Sequence, residues 1–143
     1  MTIKRRRVEG LIAANPQDFT AVGLGAKYAR LVGIRARNWA SSAKAGAGTD
    51  TAVKIRLTDN NGDVVFLDAA DRDYATAEVT LQVNGVDDTT TGLGVTGVDA
   101  TGAAIGASEG AAGGPIMESP VTVRIVNGTT ATDYMTVDLM VEV

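Results

Sequence analysis

The sequence lacks cysteine and histidine altogether across its 143 residues. Without cysteine there is no disulfide, no thiolate metal ligand and no thiol nucleophile. Without histidine the chain also loses the commonest general base and the commonest metal ligand. Catalysis would have to rest on carboxylates, hydroxyls or lysine. The composition therefore predicts a protein that is not an enzyme and that holds no cofactor or metal.

Long hydrophobic runs and aromatic residues are also scarce. No apolar run approaches the roughly 18 residues that span a bilayer, and the basic start is followed by no apolar segment typical of a secretory signal. We therefore expect a mature, soluble chain with no membrane partner. Only one Trp, three Tyr and two Phe are present. This scarcity disfavours a carbohydrate-binding module, whose sugar platform is built from exposed aromatic rings.

Charge is distributed unevenly along the chain. Residues 1–44 hold nine basic and two acidic side chains, whereas the whole sequence has 13 basic and 17 acidic residues. A basic end on an acidic body predicts an acidic partner for that end, which nucleic acid or another protein surface could supply. The acidic remainder argues against nucleic acid as the partner of the whole domain.

The last 25 residues have the clearest periodicity. Apolar residues alternate with polar ones over 121–125 and again over 135–143, on either side of a polar loop around Asn127-Gly128. Period-two alternation is typical of a strand with one face in a core and one in water. We predict an antiparallel hairpin formed by these two segments, closed either by a tight turn or by a wider loop.

Other segments share this pattern. Lys27 to Trp39 is predicted to be a strand, with Arg35 and Arg37 on its solvated face, and 41–50 a loop. Residues 53–57 and 64–67 are predicted to form a hairpin, and 76–83 a further strand. Within the hairpin turn, Asp59, Asn61 and Asp63 have the spacing of calcium ligands, but the glycine and glutamate positions of that motif do not match. We interpret them as turn residues.

Two segments lack a sustained period. Residues 1–26 combine a basic cluster with Pro16 and two later glycines, so an extended arm across a surface and a ragged N-terminal strand are both compatible with them. Residues 84–118 contain nine of the 17 glycines. Long loops of this kind are usually functional or disordered. We interpret this one either as an ordered loop packed against a neighbour or as a simply flexible segment.

Together these patterns predict an all-β protein, an antiparallel β-sandwich or jelly-roll, because short strands are joined by Gly-rich connections and no amphipathic helix is evident. We assign an extended N-terminal arm to residues 1–26 and a β-sandwich domain to residues 27–143, with the long Gly-rich loop at 84–118.

The layout resembles that of capsid decoration, or cement, proteins of tailed bacteriophages. The likeness is carried by the N-terminal arm, the long Gly/Ala/Thr-rich loop, the absence of cysteine and the ending that runs from Ser119 through Gly128 to Thr136–Leu139. The resemblance implies a virion protein on the outer capsid surface, commonly a homotrimer, that clamps neighbouring subunits of the major capsid protein. Tail or fibre proteins and surface adhesion modules share this composition and remain alternatives.

On this hypothesis the N-terminal segment from Lys4 to Ile12 is the capsid-binding arm. Its cations would meet an acidic capsid surface and its apolar residues an apolar one. Binding that favours the assembled shell stabilises the shell by mass action, so no chemistry is required. The candidate site residues are Lys4, Arg5, Arg6, Arg7, Val8, Leu11 and Ile12.

Overall fold

The protein is described by a computed structural model that covers residues 2–67, 71–82, 116–126, 128 and 130–143. These residues form nine strands. The strands are β1 (Ile3–Leu11), β2 (Gln17–Val22), β3 (Tyr28–Trp39), β4 (Lys54–Thr58), β5 (Val64–Leu67), β6 (Val79–Gln82), β7 (Ile116–Glu118), β8 (Val121–Val126) and β9 (Tyr134–Glu142). Within the described ranges no helix is long and apolar enough to cross a membrane.

The strands build two antiparallel sheets. Sheet A has five strands in the order β1-β9-β3-β6, with β7 pairing along β3 beyond the end of β6. Sheet B has four, in the order β2-β8-β4-β5. Apart from the β4–β5 hairpin, the described connections between successive strands pass from one sheet to the other, as in a sandwich. The prediction of an all-β protein is confirmed.

The core lies between the sheets and follows from the alternation read in the sequence. In β8 the apolar residues Val121, Val123 and Ile125 are buried while the intervening side chains are half-buried. In β9 the core-facing residues are Met135, Val137, Leu139 and Val141. Burial of such side chains, each worth about 1.5 to 3 kcal/mol, is the main force that holds the sheets together.

The expected hairpin between β8 and β9 is not formed. Both strands exist at the predicted positions, but β8 pairs with β2 and β4, whereas β9 pairs with β1 and β3. The segment between them crosses from sheet B to sheet A. Alternation determines which face of a strand is buried, and a core between two sheets satisfies that requirement equally well when consecutive strands lie on opposite sides.

The N-terminal region differs from the extended arm expected over residues 1–26, because it forms β1 in sheet A and β2 in sheet B. All nine residues of β1 pair with β9, so the alternative of an N-terminal strand is the one the structure adopts. The alternation of apolar and polar residues in β1 is weak because β1 lies at a sheet edge, where charged residues on both faces are common.

The β4–β5 hairpin is confirmed, and its turn explains the acidic spacing seen in the sequence. The Asp59 Oδ1 atom accepts hydrogen bonds from the backbone N–H groups of Asn61 at 3.0 Å and Asp63 at 3.1 Å. Gly62 has φ of 86°, a left-handed conformation that favours glycine. Of the predicted loop at 84–118, Ile116–Glu118 is strand β7, and residues 84–115 lie outside the described residues.

Candidate interaction surface

The solvent-facing side of sheet A carries a ladder of charges. Cross-strand register places Arg7 of β1, Asp138 of β9 and Arg35 of β3 side by side in one row. Directly paired residues in an antiparallel sheet project from the same face. We call this side of sheet A the outer face. The two arginines of this row are therefore separated by a carboxylate.

Arg7 and Asp138 form a bidentate ion pair. Arg7 Nε donates to Asp138 Oδ1 at 2.7 Å, and Arg7 Nη2 donates to Asp138 Oδ2 at 3.0 Å. The Asp138 side chain is only 3% exposed, whereas that of Arg7 is 41% exposed. The hydrogen bond to this carboxylate raises the pKa of Arg7 above its ordinary value. The pair neutralises a carboxylate that would otherwise be buried alone, and it fixes the guanidinium against the sheet.

Further along the outer face, Arg37 stacks on Trp39, with the guanidinium carbon 4.5 Å from the ring centroid. Trp39 Nε1 in turn donates to Thr136 Oγ1 at 3.2 Å. Lys44 and Glu9 form an ion pair at 2.6 Å. These contacts hold long side chains in defined positions, which lowers the entropy they would lose on binding a partner.

The structure divides the seven predicted site residues between three environments. Arg5, Arg7 and Leu11 alternate onto the outer face, and Leu11 is 46% exposed. Alternation places the others on the opposite face: Lys4 is exposed, the Arg6 guanidinium lies against Gly25, and Val8 packs against the core. Ile12 is completely buried. The seven therefore do not form one contiguous surface.

One end of the outer face has exposed apolar residues on either side of the charged residues Arg30 and Glu142. Ile3 and Ile116 are 51% and 57% exposed and belong to one cross-strand row, and Tyr28 nearby is 54% exposed. A surface hollow of about 220 Å³ opens here, lined by Tyr28, Ala29, Arg30, Ile116, Glu142 and Val143. Exposed apolar residues together with tyrosine and arginine on one face match the residue types that are enriched at protein interfaces. Ile3, Tyr28 and Ile116 were not among the predicted site residues, although each begins a strand.

The solvent-facing side of sheet B carries its own charges. Arg124 donates Nε to Asp18 Oδ1 at 2.7 Å and Nη2 to Asp18 Oδ2 at 3.0 Å. The hydrogen bond from Arg124, supported by the charges of Arg124 and Arg56, holds the pKa of Asp18 below its usual value. This side has the same kind of ion pair as the outer face of sheet A, with a more accessible carboxylate, since the Asp18 side chain is 35% exposed.

A buried polar cluster joins the loops at one end of the sandwich. Asp133 Oδ2 accepts hydrogen bonds from Asn38 Nδ2, Thr49 N and Asp50 N, each at 2.8 Å. Asp50 accepts both the N–H and the hydroxyl of Thr130. Sequence reasoning missed this cluster, because its members are far apart in the chain and share no motif. Its contacts are with backbone and amide donors, which is the arrangement of a structural brace.

The described residues contain no group of three or more Asp, Glu, His or Cys side chains arranged to hold a metal ion. No family model, curated protein or solved structure matches the chain. The outer face of sheet A is the candidate interaction surface of the described residues.

Proposed function

We propose that the protein is a virion structural protein of the capsid decoration, or cement, type, which binds the outer surface of a tailed-phage head and stabilises it through non-covalent contacts with the major capsid protein. The observation that carries the proposal is the outer face of sheet A, which has both arginines held by Asp138 and Trp39 and exposed apolar residues at its ends. The layout of the sequence supports the same class.

Such a face suits shell binding for a physical reason. Arginine and aromatic side chains are enriched at protein interfaces, and side chains that are already ordered lose less entropy on association. A ligand that binds the assembled shell and not the free subunits stabilises the shell by mass action. Ordered surface side chains are sufficient for that role.

The structure does not support the whole segment from Lys4 to Ile12 as the part of the protein that contacts a capsid. Ile12 is a core residue and Val8 packs against the core, so neither is free to contact a capsid. Arg5, Arg7 and Leu11 remain on the outer face. We therefore propose this face as the docking surface, in place of a flexible arm. The homotrimer implied by the resemblance stays a separate prediction, since the proposal concerns the mode of binding and not the number of copies.

A matched pair of double variants tests the proposal. Arg35→Gln with Arg37→Gln removes two half-buried cations from the outer face, and Lys54→Gln with Arg56→Gln removes two half-buried cations with the same spacing from sheet B. Binding is measured by co-sedimentation with heads of the parent phage that lack this protein. We expect the first variant to bind about tenfold more weakly, a loss of roughly 1.4 kcal/mol. The second is expected to bind as the parent does.

Two outcomes would overturn the proposal. No binding of the parent protein to heads would leave a tail component or an adhesion module as the function. Equal losses for both double variants would show that the outer face of sheet A is not the docking surface.

A further inference from the structure

Strand β1 has one edge that no described strand covers. It is the first strand in the order of sheet A and pairs only with β9. Thr2 and Val143 exchange both backbone hydrogen bonds, at 3.0 and 3.4 Å, and Ile12 N donates to Asp133 O at 2.9 Å. In antiparallel pairing such bonds recur at every second residue. The even-numbered residues of β1 therefore bond to β9.

It follows that the odd-numbered residues from Ile3 to Leu11 direct their N–H and C=O groups away from the sheet. No residue in the described part of the chain bonds to these groups. A nine-residue edge of unpaired backbone groups is a template for another strand. Its four consecutive cations, residues 4–7, discourage pairing with arbitrary strands, so the partner must match the pattern of side chains along β1.

We propose that this partner is the β1 strand of a second copy of the chain, in an antiparallel pair. In its register the numbers of two facing residues always add up to 14. This register uses all nine residues of β1 and makes the odd-numbered positions the hydrogen-bonded ones. It sets Ile3 opposite Leu11 of the second copy, so that two half-exposed apolar side chains, 51% and 46% exposed, cover one another. It also sets Arg5 opposite Glu9, so that the Glu9 carboxylate, which Lys44 of its own chain approaches to 2.6 Å, gains a second cation across the pair.

The twofold axis of this pair passes through Arg7, which faces its own copy. Each Arg7 carries its own counter-charge, because Asp138 binds its guanidinium through two hydrogen bonds. On the opposite face of the strand, Lys4 lies opposite Gly10, where no side chain competes for space. Shifting the register by two residues in one direction sets Arg5 against Arg7. In the other direction Arg7 faces Glu9, but Arg5 faces Leu11 and Ile3 faces no residue of the second β1. Of the three, only the register centred on Arg7 pairs all nine residues of β1 and sets Ile3 against Leu11.

The axis is perpendicular to the sheet, so the outer faces of both copies lie on the same side of a continuous ten-stranded sheet. The pair therefore enlarges the outer face described above. The contact uses only the edge of β1 and does not depend on shell binding. If the protein fails to bind heads, the proposal of a β1–β1 pair still stands. If the β1–β1 pair is not found, the proposal of shell binding still stands.

Disulfide trapping tests the register directly, because the parent chain has no cysteine. Ile3→Cys and Leu11→Cys single variants, distinguished by mass tags, are oxidised separately and as a mixture. Hydrogen-bonded antiparallel pairs have Cα atoms about 5.5 Å apart, within reach of a disulfide. In a pair made from the Ile3→Cys variant alone, the two thiols would instead lie roughly 27 Å apart, eight residues along the strand. We expect the mixture to form at least tenfold more cross-linked pair than either variant alone, whereas equal yields would overturn the proposal.

A charge reversal provides a second, independent readout. Arg5→Glu sets two carboxylates opposite one another. Adding Glu9→Arg together with Lys44→Glu in the same chain restores the cross-strand attraction with the order reversed and keeps an opposite charge beside position 9, because Glu9 pairs with Lys44 in the parent. Self-association is measured by light scattering over a range of concentrations. We expect the single variant to dimerise at least tenfold more weakly and the triple variant to recover to within about threefold of the parent. A parent that stays monomeric throughout, or a single variant that dimerises normally, would contradict the pairing.

Discussion

Asn38 and Asp133 are 95 positions apart in the chain, and their side chains meet inside the protein, where Asn38 Nδ2 donates to Asp133 Oδ2 at 2.8 Å. Both residues are completely buried. The bond ties the end of β3 to the segment that carries the chain from β8 in sheet B to β9 in sheet A. A buried donor and acceptor that satisfy one another favour the arrangement of the chain that keeps them together, and they do so here although Asn38 Oδ1 and Asp133 Oδ1 have no hydrogen-bond partner among the described residues. This contact thus helps to explain why β8 and β9 lie in different sheets.

The first prediction concerns Asp133→Ala. The substitution removes the acceptor shared by Asn38 Nδ2 and the N–H groups of Thr49 and Asp50. Of these donors only the Asn38 amide is fully buried, and it keeps its hydrogen bond to the Asp50 carbonyl oxygen at 3.0 Å. We therefore expect the free energy of unfolding to fall by about 1 to 3 kcal/mol. Urea denaturation followed by tryptophan fluorescence measures the change.

Asp133→Asn is the matched control for that variant. The amide keeps one oxygen to accept the donors and loses the negative charge, so a smaller loss than for alanine is expected. If alanine and asparagine destabilise the protein equally, the charge of Asp133 matters and its acceptor geometry does not.

The second prediction concerns Gly48→Ala, which probes the packing beside this cluster. A Cβ atom at position 48 would lie 2.6 Å from Asn38 Nδ2 and 2.7 Å from its Cγ. The Asn38 amide would have to move and would lose its alignment with Asp133. We expect a loss of about 1 to 3 kcal/mol in the free energy of unfolding. Gly62→Ala is a poor control because of its positive φ, whereas Gly23→Ala has open space around it and no such φ, and should cost less.

The sequence predicted the strands and their buried faces better than it predicted their partners. Alternation identifies β3, β4, β8 and β9 because it reports directly on a buried and a solvated face. It carries no information on pairing, and so the β8–β9 hairpin was expected where a crossover occurs. The β4–β5 hairpin was predictable because Asp59 and Gly62 determine the turn locally. The pattern of residues 1–26 is compatible with either an arm or a strand, because β1 has charged residues on both faces.

The same distinction applies to the candidate site. The basic character of the N-terminal segment was visible in the sequence, but alternation in β1 separates Arg5 and Arg7 from Arg6. The neutralising role of Asp138 could not be predicted, because it depends on the register between β1 and β9. The exposed ends Ile3, Tyr28 and Ile116 could not be distinguished from core residues, since exposure at the edge of a sheet is a tertiary property.

The third prediction concerns pH. The hydrogen bond from Arg124 lowers the pKa of Asp18, so Asp18 stabilises the fold above its unfolded-state pKa of about 3.9, and this contribution is lost as the pH falls through the lower folded-state value. Arg124→Gln should raise the pKa of Asp18, as measured by carboxyl-carbon NMR titration. The difference in the free energy of unfolding between this variant and the parent should also become smaller as the pH falls from 5 to 2. An unchanged Asp18 titration would contradict the assignment.

The fourth prediction compares two ion pairs of the same geometry. Arg7–Asp138 and Arg124–Asp18 both have bonds of 2.7 and 3.0 Å, but the acidic side chain is 3% exposed in the first and 35% exposed in the second. Double-mutant cycles with Arg→Gln and Asp→Asn measure the coupling energy of each pair. Exposed pairs contribute about 0.2 to 1 kcal/mol, because water and salt screen them.

For Arg7–Asp138 we expect a coupling of about 1 to 3 kcal/mol, since Arg7→Gln leaves a buried carboxylate without its cation while the partial exposure of Arg7 limits the effect. Raising the salt concentration from 0.1 to 1 M should reduce the Arg124–Asp18 coupling energy. Most of the Arg7–Asp138 coupling energy should remain, because buried charges are screened less. Equal couplings with equal salt sensitivity would mean that Asp138 is reached by water. Arg7 would then not be needed to neutralise a buried charge, and the explanation of how the outer face holds its arginines would fail.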